Sequence, residues 1–378
     1  MLAFCQAKNN MPYERKIRVL TVDDSLFFHR LLQDSLNKIN PNIEIIGKAF
    51  NAHDALEKIH SLSPDVVTLD VEMPGMSGIE LTKVIMNQKP TPIILVSSLN
   101  LSVFDALSNG AIDFVQKPDL KNNYTTSAFL SRLASKIVIG SHARLTKKAP
   151  IHNSLATERK TEHPNSSKTV STSTSAHIQP CLKTSLTLNS KIIAIGASTG
   201  GTETILEILR QLPTHIPGIV ITQHMPAGFT KMYAERLNRI CKIEVKEAKN
   251  GDVIKPGRAL IAPGGLQMKV VKGSSGYSVS CHPGNNVSGH CPSVDVLFSS
   301  MAEQVGSNGI GIILTGMGRD GANGMLQMHK AGAYTIGQDK NSCVVYGMPM
   351  EAYKLGAVSV QSPCSNIPSV LINYLNTL

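Results

Sequence analysis

Short apolar runs rich in Ile, Val and Leu recur along this chain, with helical stretches between them. In residues 13–140 they fall at 17–22, 43–49, 66–70, 92–97 and 112–116, with helical stretches near 25–38, 52–60, 78–88, 102–109 and 126–138. Near-continuous apolar strands separated by helices predict a parallel sheet covered on both faces, because crossover helices leave neither face to water. The same grammar returns in residues 191–378. Strands are predicted there at 191–195, 218–223, 259–262, 309–314 and 333–337, and helices near 202–211, 228–240, 293–306, 321–331 and 348–356. An alternating run at 266–272 and a stretch at 277–281 predict an added hairpin. The fold class is therefore α/β, with two doubly wound parallel-sheet domains.

Between them the grammar stops. Residues 141–190 hold 17 Ser and Thr, four His, and no Gly, Phe, Tyr or Trp. Such a segment cannot bury enough apolar surface to offset its ordering entropy, so it reads as a flexible linker. The expected organisation is one domain over 13–140, a linker over 141–190 and a second domain over 191–378.

A net charge of +10 invites a nucleic-acid reading, but its distribution opposes one. Residues 13–140 carry −1, the linker +5 and residues 191–378 another +5. A nucleic-acid face would gather charge on a folded module, with aromatic or recognition-helix company. No nucleic-acid partner is expected. The cysteines Cys5, Cys181, Cys241, Cys281, Cys291, Cys343 and Cys364 form no CxxC pair and suit a reducing compartment. The segment Cys281-His282 … His290-Cys291 resembles metal ligands, but its spacing fits no zinc pattern well, and a solvent-facing loop is the plainer reading. Leu2-Ala3-Phe4-Cys5 lacks the flanks of a lipoprotein signal. No apolar run approaches the roughly 18 residues of a membrane span. The expectation is a cytoplasmic monomer with no membrane insertion.

In doubly wound sheets, ligands gather at the carboxyl ends of the strands. In the first domain those ends bring Asp23, Asp24 and Asp70 to one edge, with Ser97 and Lys117 beside them. Three converging carboxylates repel unless a cation sits among them, and oxygen donors suit a hard ion such as Mg²⁺. A hydroxyl and an ammonium could then hold a phosphoryl group on Asp70. Any one of these residues alone would read as a helix cap; all five together do not. The segments 22–25 (VDDS), 65–78 (DVVTLDVEMPGMSG) and 110–118 (GAIDFVQKP) resemble the receiver domain of two-component response regulators, over roughly 15–138. The resemblance implies a flavodoxin-like fold with Asp70 as phospho-acceptor. It implies Asp23, Asp24 and Asp70 as Mg²⁺ ligands with the backbone carbonyl of Glu72, Ser97 as switch hydroxyl and Lys117 as phosphate contact. Lys117-Pro118 is a candidate cis bond.

In the second domain, strand 191–195 runs into Gly196-Ala197-Ser198-Thr199-Gly200-Gly201 and a helix. This has the G-x-S-x-G form of a nucleophile elbow, although a glycine-rich phosphate loop has similar letters. Two further strand ends separate these readings: His224 follows strand 218–223, and Asp320 follows strand 309–314. Ser, His and Asp at three strand ends are what nucleophilic acyl transfer needs. A dinucleotide site would leave His224 and Asp320 without a role.

The segments 195–202 (IGASTGGT), 223–226 (QHMP), 314–321 (LTGMGRDG), 292–298 (PSVDVLF) and 346–349 (YGMP), with Phe229, resemble the catalytic domain of chemotaxis protein-glutamate methylesterases, over about 191–376. The resemblance implies a Rossmann-like esterase domain in which Ser198 is the nucleophile, His224 the general base and Asp320 the orienting carboxylate. Met317, through its backbone N–H, and Thr199 are its oxyanion candidates. It implies hydrolysis of glutamate γ-methyl esters on methyl-accepting chemotaxis receptors, deamidation of receptor glutamines, and a chemotaxis histidine kinase as phosphodonor. No cofactor is expected for the esterase step. The competing reading is a phosphorylation-switched binding protein with an inactive esterase-like domain.

Overall fold

A computed structural model describes residues 15–98, 102–118, 123–145, 190–274 and 276–378. Most of the expected linker, with Cys5, Cys181 and the Leu2–Cys5 segment, lies outside the described residues.

The first unit alternates strand and helix: β1 (Ile17–Val22), α1 (Leu26–Ile39), β2 (Ile43–Ala49), α2 (Ala52–Leu62), β3 (Val66–Asp70), α3 (Gly78–Gln88), β4 (Ile93–Ser97), α4 (Ser102–Ser108), β5 (Asp113–Gln116) and α5 (Asn123–Ser141). Side-chain caps from Ser25, Asn51 and Ser77 start the first three helices, each accepting a backbone N–H that the helix leaves free. The five strands are all parallel, in the order β2-β1-β3-β4-β5. Strand order reverses between β1 and β3, so the crevice opens where the loop after β1 meets the end of β3.

The second unit holds β6 (Ile192–Ala197), α6 (Gly201–Leu209), β7 (Gly218–Gln223), α7 (Phe229–Ile240), β8 (Glu244–Glu247), β9 (Arg258–Ile261), β10 (Gln267–Gly273), β11 (Gly276–His282), α8 (Val294–Gln304), β12 (Gly309–Ile313), α9 (Ala322–Lys330), β13 (Tyr334–Gln338), α10 (Met348–Lys354), β14 (Val360–Ser362) and α11 (Ile367–Leu375). Seven of these strands form a parallel sheet, β14-β13-β12-β6-β7-β9-β8, while β10 and β11 make the separate antiparallel hairpin. Order reverses at β6, whose neighbours are β12 and β7. The three candidate catalytic residues follow those three central strands.

The units meet through the loop after β6 and the face of α7. Phe114 meets the Phe229 ring at 4.6 Å, and Phe104 stacks on Tyr233 at 5.5 Å. Arg236 donates to Ser108 and pairs with Glu203 at 3.2 Å. The Arg144 N–H donates to Val344 O at 2.9 Å, so the chain just beyond α5 touches the second unit. These rings belong to one buried apolar cluster that runs through both units.

Candidate functional site

At the centre of the second sheet, β6 ends on Ala197 and the chain turns sharply through Ser198, Thr199 and Gly200. Gly200 adopts φ +79° at the cap of α6, a conformation that favours glycine. The Ser198 N–H donates to Thr315 O at 3.0 Å, tying this turn to the end of β12. Gln223 Nε2 donates to Ser198 O at 2.9 Å and to His224 O at 3.3 Å, so one buried amide links the two loops. Gly316 lies so close that an added Cβ would come within 2.7 Å of Ser198 Cβ. The Gly-Met-Gly turn is therefore pressed against the serine, and Met317 projects from it with 47% exposure.

Asp320 is almost fully buried, and four donors converge on it. His224 Nε2 lies at 2.7 Å, Ser293 Oγ at 2.7 Å, Val294 N at 2.8 Å and Asp295 N at 3.1 Å. Ser293 caps α8, so the carboxylate sits on the positive end of that helix, where free N–H groups need an acceptor. Burial works against the Asp320 charge, but His224 and the α8 donors outweigh it and hold its carboxyl below the usual range. An ionised Asp320 requires a proton on His224 Nε2. His224 Nδ1 is then the acceptor nitrogen, and it is buried with no hydrogen-bond partner among the described residues. Neighbouring Asp295 shows the opposite balance. Burial, with the Asp320 charge beside it, pushes its carboxyl up despite the Gly324 N–H at 2.8 Å.

At the edge of the first sheet, donor oxygens of Asp23, Asp24 and Asp70 all lie within 4.8 Å of one another. Lys117 Nζ lies 2.9 Å from Asp23 and 2.6 Å from Asp70. Burial is the largest influence on Asp70 and raises its carboxyl; Lys117 pulls it down and Asp23 pushes it up. Burial also opposes the Lys117 charge, but the two carboxylates outweigh it and raise its ammonium. The Glu72 N–H donates to Asp70 Oδ1 at 3.2 Å. Ser97 is fully buried and its hydroxyl has no hydrogen-bond partner among the described residues. A set of hard oxygens in which two buried carboxylates share one ammonium fits a divalent cation, and an orphaned hydroxyl fits an incoming phosphoryl oxygen.

The structure brings Ser198, His224, Asp320, Thr199 and Met317 to one sheet edge, and Asp23, Asp24, Asp70, Ser97 and Lys117 to the other. Three placements bear on the sequence reading. Thr199 Oγ donates to Asp113 Oδ2 of the first unit, and Asp113 is itself paired with Lys136. The Cys281–Cys291 segment is no metal cluster among the described residues, where the only such grouping is the three aspartates. His282 bonds Pro283 O instead, and His290 stacks flat on His224, with ring centroids 3.6 Å apart and planes 9° from parallel. The cis bond among the described residues is Cys291–Pro292, not Lys117–Pro118, since an X-Pro link tolerates either isomer and its sequence does not choose. Sequence reasoning missed Gln223, Gln267, His290 and Ser293 as parts of this site, and Asp113 and Lys136 as parts of its boundary. Only Ser293 carried a local signal: a Ser before an apolar helical run is a capping pattern.

The family model for the CheB methylesterase matches residues 193–371, and that for the response regulator receiver domain matches residues 19–127. A relative in Syntrophomonas wolfei, protein-glutamate methylesterase/protein-glutamine glutaminase 2, is 50% identical over 96% of this chain and 99% of its own. One in Syntrophotalea carbinolica with the corresponding name is 46% identical over 94% and 98%. Among solved structures, the Thermotoga maritima CheB methylesterase catalytic domain is 37% identical, covering 49% of this chain and 98% of that one at a TM-score of 0.48.

Proposed function

The chain belongs to the CheB methylesterase family and carries a response regulator receiver domain, and from that premise we propose a phosphorylation-regulated hydrolase of chemotaxis adaptation. Its substrates are glutamate γ-methyl esters on chemoreceptors, with methanol leaving, and receptor glutamines, with ammonia leaving. Ser198 Oγ attacks the γ-acyl carbon as His224 Nδ1 takes its proton. Asp320 holds the ring through Nε2 and stabilises the imidazolium, which then protonates the leaving group. The Met317 backbone N–H and Thr199 serve the oxyanion, in a turn pressed against the serine. Water completes the hydrolysis by the same base, without a cofactor. The observation that carries this reading is the His224–Asp320 pair, with four donors on the carboxylate, Nδ1 buried without a partner among the described residues, and Gln223 tying the His224 and Ser198 backbones together. The switched-binding alternative would most simply have lost a member of the triad, and this chain keeps all three.

Asp70 is the proposed phospho-acceptor, with a chemotaxis histidine kinase as donor. Asp23, Asp24, Asp70 and the Glu72 carbonyl would hold Mg²⁺, which supplies charge neutralisation during phosphoryl transfer. Lys117 and Ser97 receive the phosphoryl oxygens. The receiver restrains the esterase by occupancy: Asp113 accepts from Thr199, next to the nucleophile, and Ile112 O accepts from Gly200 N at 3.2 Å. Phe114, between Phe104 and Phe229, links β5 to that contact. A tether holding the units at about millimolar effective concentration lets even a weak contact inhibit. We place the protein in the cytoplasm as a monomer; no described helix is long and apolar enough to cross a membrane. The test is methanol release from methylated receptor membranes: it should require Ser198 and rise with a small phosphodonor and Mg²⁺.

A further inference from the structure

A single hydrogen bond fixes the position of an imidazole nitrogen but not the plane of the ring. The second side-chain torsion of histidine is broad, so with only Asp320 on Nε2 the His224 ring could tilt. Tilting would move Nδ1, the nitrogen left to accept the Ser198 proton. The face of His224 is covered by the parallel ring of His290, 3.6 Å away, a contact that the triad itself does not include.

His290 is not a loose loop residue. Its backbone N–H and C=O exchange hydrogen bonds with Val287 at 2.9 and 3.0 Å. Gln267, the first residue of β10, donates from Nε2 to His290 O at 3.2 Å and accepts the Ser293 N–H on Oε1 at 2.9 Å. Ser293 is the residue whose hydroxyl bonds Asp320. One glutamine of the hairpin therefore braces both supports of the His224 ring, the stacked face and the carboxylate.

Resting on the esterase reading above, we propose that His290 is a positioning residue for the general base: its ring fixes the plane of His224 with Nδ1 toward Ser198, and keeps that face covered while His224 carries the proton. The groups facing His290 are His224 at the end of β7, Asp320 after β12 and Lys136 on α5 of the receiver. Burial and then His224 push His290 down to about 4, Asp320 opposes them, and Lys136 pushes the same way. A neutral ring over an imidazolium is attractive, whereas a second imidazolium there would repel it. His290 thus serves as a permanently neutral face at working pH.

The test compares His290→Ala, His290→Gln and His290→Phe in the full-length protein on methylated receptor membranes, after thermal unfolding has shown each variant folded. His290→Ala and His290→Gln should lower kcat by about tenfold to a hundredfold, the cost of a misplaced catalytic group, with KM within about twofold. His290→Phe restores the flat face and should recover most of kcat. Folded Ala and Gln variants within twofold of wild type, or a folded Phe variant as impaired as Ala, would overturn the proposal. Ser198→Ala run alongside separates the two readings: loss of activity there with no effect at His290 defeats only the positioning role, whereas activity surviving Ser198→Ala defeats the esterase reading itself.

Discussion

The two sheets place carboxylates at the same topological position and treat them in opposite ways. Asp320 at the second switch point receives four donors and a helix N-terminus, and its carboxyl is held low. Asp70 at the first has Lys117 and one backbone N–H, faces Asp23, and is pushed up by its own burial. One edge is complete as folded; the other carries an electrostatic demand that a cation and a phosphoryl group would meet. A catalytic carboxylate must hold its partner through every turnover, so full preorganisation serves it. A switch needs two states of similar energy, and an edge left short of positive charge supplies the second when its ligands arrive.

The largest effect should come from breaking the complete edge. Ser198→Ala should reduce methanol release by about 10⁴-fold or more, His224→Gln should behave similarly, and the double variant should cost little more because the residues act as one unit. Activity within tenfold of wild type would break the assignment. At the demanding edge, Asp70→Asn should bring the ratio of phosphodonor-stimulated to unstimulated release to about one; persistent stimulation would move the acceptor elsewhere. Ser293→Ala removes one of the Asp320 donors and should cost about tenfold in kcat, as expected for one hydrogen bond to a charged group. Asp113→Ala, which frees Thr199, should raise unstimulated release severalfold; no rise would mean that occupancy of the Thr199 loop does not restrain the enzyme.

The smallest effect concerns stability. The Asp70 carboxyl is raised in the folded state, so its contribution favours folding below the unfolded carboxylate value and is lost as pH rises through the folded one. At neutral pH with a chelator, Asp70→Asn should therefore unfold a few degrees higher than wild type in the receiver transition. Mg²⁺ should narrow that difference by stabilising the wild type, and a variant that melts lower in chelator would contradict the sign.

The strands that carry the sites were legible because buried parallel strands read as apolar runs. Those at the rim were not. β8 reads Glu-Val-Lys-Glu, which is polar because it lies at the sheet edge, and β14 has three residues. α11 is a nine-residue, largely apolar run with Pro368 in its first turn, and so short an apolar run reads equally as a buried strand. The triad and the acidic edge were legible because function concentrates at strand ends, a position that sequence reveals once strands are placed. His290 was not: the sequence offered it as a possible metal ligand, and only the fold of the 283–292 loop lays it on His224. Gln223 and Gln267 were invisible as braces, because an amide bridging two backbone groups needs only the right place, which no local pattern encodes.

The account turns on one edge governing the other. Its most direct test is methanol release from methylated receptor membranes by the full-length protein, with and without phosphodonor and Mg²⁺, in wild type, Asp70→Asn and Ser198→Ala. Wild type should release methanol faster when both additions are present, Asp70→Asn should not respond to them, and Ser198→Ala should release none above background. Release that ignores the additions in wild type, or that persists without Ser198, would contradict it.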